Sequence, residues 1–376
     1  MSRELVERVR NRLAVDSGGL DEMVRAESGG ILDDTVFARL RREVAAELHG
    51  AGPLEPLLEL PGVTDVLVNG PDQVWFDRGR GMERAAVAFA GDGEVRRLAQ
   101  RLAAGAGRRL DDALPYADAV LPDGTRLHAV LPPLVEQTTI SLRVLARRPH
   151  DLDGLVARAT MPQAIGELLR ALISARVAFV ISGGTGTGKT TLLGALLGVV
   201  PPTERVLLIE DAAELVVAHP HVVRLVTRGP NVEGAGGVGL RELVRQALRM
   251  RPDRLVVGEF RGAEVVELLV ALNTGHEGSA ATLHANSAAD VPARFAALGA
   301  LAGLPAPAVT SLVASAVRVV VHLHRGPGGQ RRVVEIGVLR RTGDELAVVR
   351  AWSALAAEAP AAGELAALLG RSAVPP

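Results

Sequence analysis

The sequence predicts an α/β protein, with a parallel-sheet domain at residues 161–345 preceded by a smaller α+β domain at residues 51–146. Three observations carry this. A glycine-rich loop from Gly183 to Thr190 is framed by an apolar run before it and a helix-forming stretch after it. Apolar runs and helical patterns then alternate through Leu283, as parallel strands joined by crossover helices require. Before residue 146 the pattern is instead short strand-like runs punctuated by turn residues, the mark of antiparallel pairing.

Residues 1–50 read as a helical extension. Leu5, Val6, Val9 and Leu13 recur at helical spacing, Ser17-Gly18-Gly19 breaks the pattern, and a second helix starts at Asp33-Asp34, carries Val36, Leu40, Val44 and Leu48 on one face, and ends at Gly50. Strands follow at Val63–Val68, Val74–Asp77 and Ala85–Phe89, separated by turns at Asn69-Gly70-Pro71-Asp72 and Arg78-Gly79-Arg80-Gly81. A helix at Glu94–Ala104 turns Leu98, Leu102 and Ala103 inward, and further strands lie within Val120–Val130 and Thr138–Leu145. Residues 147–160, beginning Arg147-Arg148-Pro149-His150, read as a linker, with helical pattern resuming near Pro162. The larger domain offers strands at Val177–Ile181, Val206–Ile209, Val222–Thr227, Leu255–Gly258 and Ala280–Leu283. Leu240, Leu243, Val244, Ala247 and Leu248 share one face of a helix whose other face is charged. Val317–Leu323 and Val333–Leu339 flank Gly326-Pro327-Gly328-Gly329 as a hairpin, and residues 346–376 form an alanine-rich tail, a short helix or frayed from Ala354.

The loop fits the phosphate-binding pattern G-x-x-x-x-G-K-[ST] from Gly183 through Gly184, Thr185, Gly186, Thr187, Gly188 and Lys189 to Thr190, with Thr191 following. Its glycines let consecutive backbone N–H groups point inward, where the positive end of the next helix adds to their field. A nucleoside triphosphate fits such a cradle, with Lys189 reaching the β- and γ-phosphates and the Thr190 hydroxyl completing a magnesium shell. Lys189 is also the single lysine among 42 lysines and arginines. The bias toward arginine stops where a compact ammonium must fit inside a ring of amides.

Carboxylates end two of the strands. Glu210 and Asp211 follow Val206–Ile209, with Glu214 three residues beyond, and Glu259 follows Leu255–Gly258. In an open parallel sheet such strand ends converge on the ligand. Glu259 is expected to orient a magnesium-bound water and Glu214 to activate the attacking water, with Glu210 or Asp211 holding that base or the metal. The alternative for Glu210, Asp211 and Glu214 is an acidic helix start favoured by the helix dipole. His276 and His284 bracket a strand, where imidazoles could sense a γ-phosphate, position the acids, or simply be hydrogen-bonded structure. Arg126 and Arg143, in the smaller domain, are the kind of cations that stabilise a transferring phosphoryl group from outside the nucleotide domain.

Taken together, GGTGTGKTT, IEDAAEL with HPHVVRLVTR, RPDRLVVGEFRG and NTGHEGSAATLHANS resemble, in order and spacing, the secretion-ATPase superfamily of type II secretion, type IV pili and type IV secretion. VTDVLVNGPDQVWFDR, LPDGTRLHAVLPP and TTISLRVL are similar to its CpaF-like branch, the TadA-type ATPases of Tad/Flp pilus assembly, so the resemblance spans roughly residues 45 to 340. It implies a RecA-like P-loop NTPase domain, a homo-hexameric ring, and ATP with Mg2+ bound between the two domains. It further implies that Glu210, Asp211 and Glu214 form an aspartate box, that Glu259 is the Walker B acid, that His276 and His284 form a histidine box, and that Arg126 and Arg143 approach the phosphates. An inner-membrane platform protein is the implied partner, with membrane association only through it. Ala280, Ala281 and Phe260 depart from the family pattern.

At 376 residues the chain is long enough for two cores. It has no cysteine, so disulfides and thiolate-ligated metal are excluded. No stretch reads as a membrane span or a signal peptide, which places the chain in the cytoplasm, at the inner face of the membrane through its partner. A net charge of −1 and nine aromatics give little for nucleic acid to bind, so no direct nucleic-acid contact is expected. A motor powering assembly or secretion is the leading expectation. A conjugative DNA-translocating motor and a nucleotide-gated regulatory subunit are the alternatives.

Overall fold

The computed structural model describes residues 8–9, 12, 20–27, 33–48, 50–144, 149–229, 235–273, 275, 277–371 and 374–375. Most of the expected first helix, the Ser17-Gly18-Gly19 break, Arg147-Arg148 and His276 lie outside them. The chain divides into two units, Met1–Leu145 and Ala146–Pro376.

In the first unit, helices at Leu20–Glu27 and Asp34–Leu48 bury Met23, Val24, Phe37, Leu40 and Val44 in a small cluster with Val9. The Leu20–Glu27 helix was not legible behind the expected glycine break. Six antiparallel strands then form one sheet in the order β3-β2-β1-β6-β5-β4, from β1 (Asp65–Val68), β2 (Val74–Asp77), β3 (Met82–Arg84), β4 (Tyr116–Val120), β5 (Arg126–Val130) and β6 (Thr139–Arg143). Alternation sends Leu127, Ala129, Ile140 and Leu142 to the inner face, where the helix Asp92–Gly105 lays down Val95, Leu98, Ala99, Leu102 and Ala103. The third strand differs from expectation. It is the exposed run Met82–Arg84, and residues 85–89 leave the sheet after Ala85 donates to Val74, so that Phe89 can reach back to the Pro71 carbonyl at 2.7 Å and bury its ring.

The second unit carries an eight-stranded sheet in the order β14-β13-β12-β7-β11-β10-β8-β9. Its strands are β7 (Phe179–Gly183), β8 (Val206–Glu210), β9 (Val222–Val226), β10 (Arg254–Val257), β11 (Ala280–His284), β12 (Val319–Arg325), β13 (Arg331–Thr342) and β14 (Glu345–Ser353). From β9 to β12 the pairing is parallel, and β13 and β14 add antiparallel at one side. Parallel strands covered on both faces need apolar residues at every position. Phe179 and Ile181 accordingly enter one core with the helices Gln163–Ser174 and Lys189–Leu197, while Val180 enters the other with Leu240–Ala247, Val265–Leu272, Val291–Leu301 and Ala306–Ala316. Because β7, β8, β10 and β11 run the same way, their carboxyl ends share one edge of the sheet.

Two expectations need correction here. The expected linker contains a helix, Leu152–Ala157, because the Asp151 carboxylate accepts the Gly154 N–H at 2.6 Å and Leu152 and Leu155 sink into the core. The expected tail begins with a strand, since Leu346 to Ser353 pair along the length of β13 as β14, and the alanine-rich remainder forms a helix at Ala362–Leu368. Among the described residues no helix is long and apolar enough to cross a membrane.

Candidate nucleotide site

The phosphate-binding loop leaves the tip of β7 and ends in the helix Lys189–Leu197. Gly183 has φ +152°, and a Cβ there would stand 2.6 Å from the Leu323 carbonyl oxygen and 2.7 Å from Thr187 Oγ1, so any other residue would close the turn. Thr187 Oγ1 donates to the Gly184 carbonyl at 2.9 Å, bracing the loop from within. Thr185 and Gly186 are exposed at its crest, and Thr190 and Thr191 stand half-buried in the first helical turn.

Lys189 opens that helix with its side chain 8% exposed. Its ammonium donates to the carbonyls of Gly183 and Gly184, both at 2.9 Å. Burial pushes its pKa below the ordinary lysine value, and the carboxylates of Glu259 and Glu214 oppose that shift. Glu259 lies just beyond β10, with Oε1 3.9 Å from the ammonium. Its other oxygen accepts from Arg261, whose Nε stands at 2.8 Å and whose terminal nitrogen also donates. The Arg261 pKa is raised, first by the hydrogen bond to Glu259, with Asp211 and Glu214 adding to it. Glu259 and Glu214 therefore act on both cations, and Asp211 acts on Arg261 as well.

Glu210 has a different post from its neighbours. It is buried, and Oε1 accepts the N–H groups of Glu214 at 2.9 Å and Leu215 at 2.8 Å, while Oε2 faces Arg224 Nε at 3.1 Å. Burial raises its pKa, and the two amides and Arg224 hold it back. Of the two roles open to it from sequence, its contacts match holding Glu214, through the backbone. Glu210→Ala strips two amides of their acceptor and is expected to cost about 1–3 kcal/mol of stability, whereas Glu210→Gln keeps an acceptor oxygen, removes a desolvated charge and costs less. Denaturant unfolding of both variants checks this, and equal losses would contradict it. Asp211 is exposed, and its carbonyl accepts from Thr227 Oγ1 at 2.9 Å.

His284 ends β11 and pairs in register with Gly183, which places it beside the start of the loop. On the other flank His322, in β12, pairs in register with Ser182, and its Nδ1 lies 2.9 Å from Ser182 Oγ. Burial is the first cause that lowers the His322 pKa. Sequence reading passed over His322 and Arg261. The first was one of two histidines, His322 and His324, in an otherwise largely apolar strand, and the second stood two residues past Glu259 with nothing to show that its guanidinium folds back. Arg126 and Arg143 belong to the first unit, where β5 and β6 set them directly opposite each other and Asp65 binds Arg143 Nε at 3.0 Å.

The family pattern described as type II/IV secretion system protein matches residues 47–356. This chain belongs to that family. The secretion-family chain is 54% identical over 331 residues to "Putative conjugal transfer protein Rv3659c" of Mycobacterium tuberculosis, covering 86% of this chain and 94% of that one. It is 32% identical over 326 residues to the type IV secretion system protein PtlH of Bordetella pertussis, covering 78% and 95%. Among solved structures, the pilus retraction motor PilT with bound ADP superposes with a TM-score of 0.53 at 19% identity, covering 78% of this chain and 81% of PilT. The fold of this secretion-family protein is a RecA-like P-loop NTPase domain preceded by a smaller α+β domain.

Proposed function

We propose that the protein hydrolyses ATP as a motor that powers pilus assembly or secretion through a type II/IV apparatus. The observation that carries this is the pairing of Lys189 with Glu259 at 3.9 Å across the mouth of a glycine-turned loop. The loop suits phosphate in this reading because its turn admits no Cβ at Gly183, where one would stand 2.6 Å from the Leu323 carbonyl oxygen and 2.7 Å from Thr187 Oγ1. It also fits magnesium in one particular way. No group of three acidic or histidine side chains among the described residues could hold a metal by itself, so Thr190 and Glu259 would share Mg2+ with the phosphate oxygens, as this ion is usually held. Bound there, the ion supplies charge neutralisation on the phosphates.

In this reading Lys189 leaves the Gly183 and Gly184 carbonyls for the phosphates, Glu259 orients water, and Glu214 takes the proton of the attacking water. Glu210 keeps Glu214 in place, and Asp211 adds negative charge near Arg261. His284, with His276, senses the γ-phosphate or steadies the acids. Arg126 and Arg143 are the phosphate arginines that the family resemblance implies, in a homo-hexamer working on an inner-membrane platform protein. The CpaF-like motifs favour a Tad/Flp pilus, and the membrane face of the cytoplasm is the place of action.

The name of the Mycobacterium relative favours a second reading, a conjugative motor acting on DNA. Nine aromatics and a net charge of −1 speak against a single-strand track. Purified full-length chain is expected to hydrolyse ATP with magnesium at a rate unchanged by added single-stranded DNA. Stimulation by DNA would favour the conjugative reading, and no hydrolysis at any protein concentration would leave a nucleotide-gated subunit.

A further inference from the structure

Two arginines outside these roles come to the loop from the β12–β13 hairpin. Arg325 closes β12, Arg331 opens β13, and the register sets them directly opposite each other. Like charges so placed repel, so the pair needs acceptors or anions to settle. Arg331 Nε donates to the Gly186 carbonyl at 2.9 Å. Its Cδ lies 3.4 Å from where a Cβ on Gly188 would stand, and a terminal nitrogen of Arg325 lies 3.4 Å from the same point on Gly186. Gly186, with φ +70°, and Gly188, with φ +95°, turn the loop.

In a trans peptide the C=O and the N–H lie in one plane and point in opposite directions. Drawing the Gly186 carbonyl toward the hairpin therefore turns the Thr187 N–H away from it. The carbonyls of Gly183 and Gly184 are engaged as well, by Lys189 and by Thr187 Oγ1. A loop whose carbonyls are occupied by side chains leaves its amides to converge on an anion.

We propose that Arg331 is a positioning residue for the phosphate-binding loop, presetting the Gly186–Thr187 peptide so that its N–H faces the phosphate chain before nucleotide arrives. The inference rests on the nucleotide-site reading above. It adds that the hairpin beyond the sequence motifs, rather than the loop alone, sets the loop's phosphate affinity through pre-organisation.

The test is competition of ADP and of inorganic pyrophosphate against a fluorescent ADP analogue, without magnesium, on full-length wild type, Arg331→Ala and Arg331→Lys at low and high salt. Arg331→Ala is expected to weaken both competitors about ten-fold, the scale of one charged-group hydrogen bond. Arg331→Lys should not restore affinity, because lysine carries no donor at the Nε position, and the loss should persist in salt that screens diffuse charge. Should the alanine variant lose its cooperative melt, the charge-conserving lysine variant decides alone. Wild-type affinity in Arg331→Lys would overturn the inference, as would a loss for ADP that pyrophosphate does not share, which would put Arg331 on the nucleoside. Wild type that binds neither competitor would sink the nucleotide reading and this inference with it, whereas a tight wild type with unaltered variants would sink this inference alone.

Discussion

Lys189→Ala is expected to abolish nucleotide binding while leaving the fold intact. The ammonium is almost wholly buried and depressed in pKa by that burial, yet its partners are two carbonyls and a carboxylate 3.9 Å away. A charge kept in so costly a place is poised for a stronger partner. Each hydrogen bond to a charged phosphate contributes about 1.5–3 kcal/mol, so losing two or three removes about two orders of magnitude or more in affinity. Removing a desolvated cation costs the empty protein little by comparison. Thermal melts separate the two effects. At ADP one hundred-fold above its Kd the wild type should gain about 2.7 kcal/mol, and Lys189→Ala should gain nothing. Lys189→Arg should fail too, because a planar guanidinium does not fit between the Gly183 and Gly184 carbonyls and Glu259. An ADP-dependent shift of wild-type size in Lys189→Ala would end the nucleotide assignment.

Glu259→Gln is expected to separate binding from turnover. Glutamine keeps the shape of the side chain and removes a negative charge that lies 3.9 Å from Lys189 and is ion-paired with Arg261. With less negative charge beside the phosphates, ATP should bind at least as tightly as in wild type. Hydrolysis should fall by about 10²–10⁴-fold, the range that a positioned acid–base group contributes. Equilibrium binding of ATP and single-turnover release of phosphate, measured on the same preparation, check both halves. A variant that turns over at the wild-type rate would remove Glu259 from the chemistry. Weakened ATP binding would instead make it a structural anchor for Lys189.

Much of the site was legible before the structure, for a reason that differs from residue to residue. Gly183 to Thr190 could be read because the pattern is local: turn, amides and helix start all lie within eight consecutive residues. Glu259 and His284 could be placed together because parallel strands deliver their carboxyl ends to one edge of the sheet, wherever they sit in it. Glu210 was placed correctly on that edge, but its partners are the amides of Glu214 and Leu215, and the fold of that turn decides this. The helix at Leu152–Ala157 and the strand β14 were missed because a single N-cap and a long cross-strand pairing outweigh weak local propensity.

By itself the sequence determined the chemistry on offer: a phosphate loop with the chain's one lysine, acids at strand ends, and a family pattern across most of its length. Tertiary structure decided which groups meet. Arg261 folds back on Glu259, His322 reaches Ser182 from the neighbouring strand β12, and Arg331 arrives at Gly186 from 145 residues away. The physical reason is one of range. Turn chemistry and strand periodicity act over a few residues, whereas a hydrogen bond between distant segments depends on strand order and register, which follow from how the whole sheet buries its two faces.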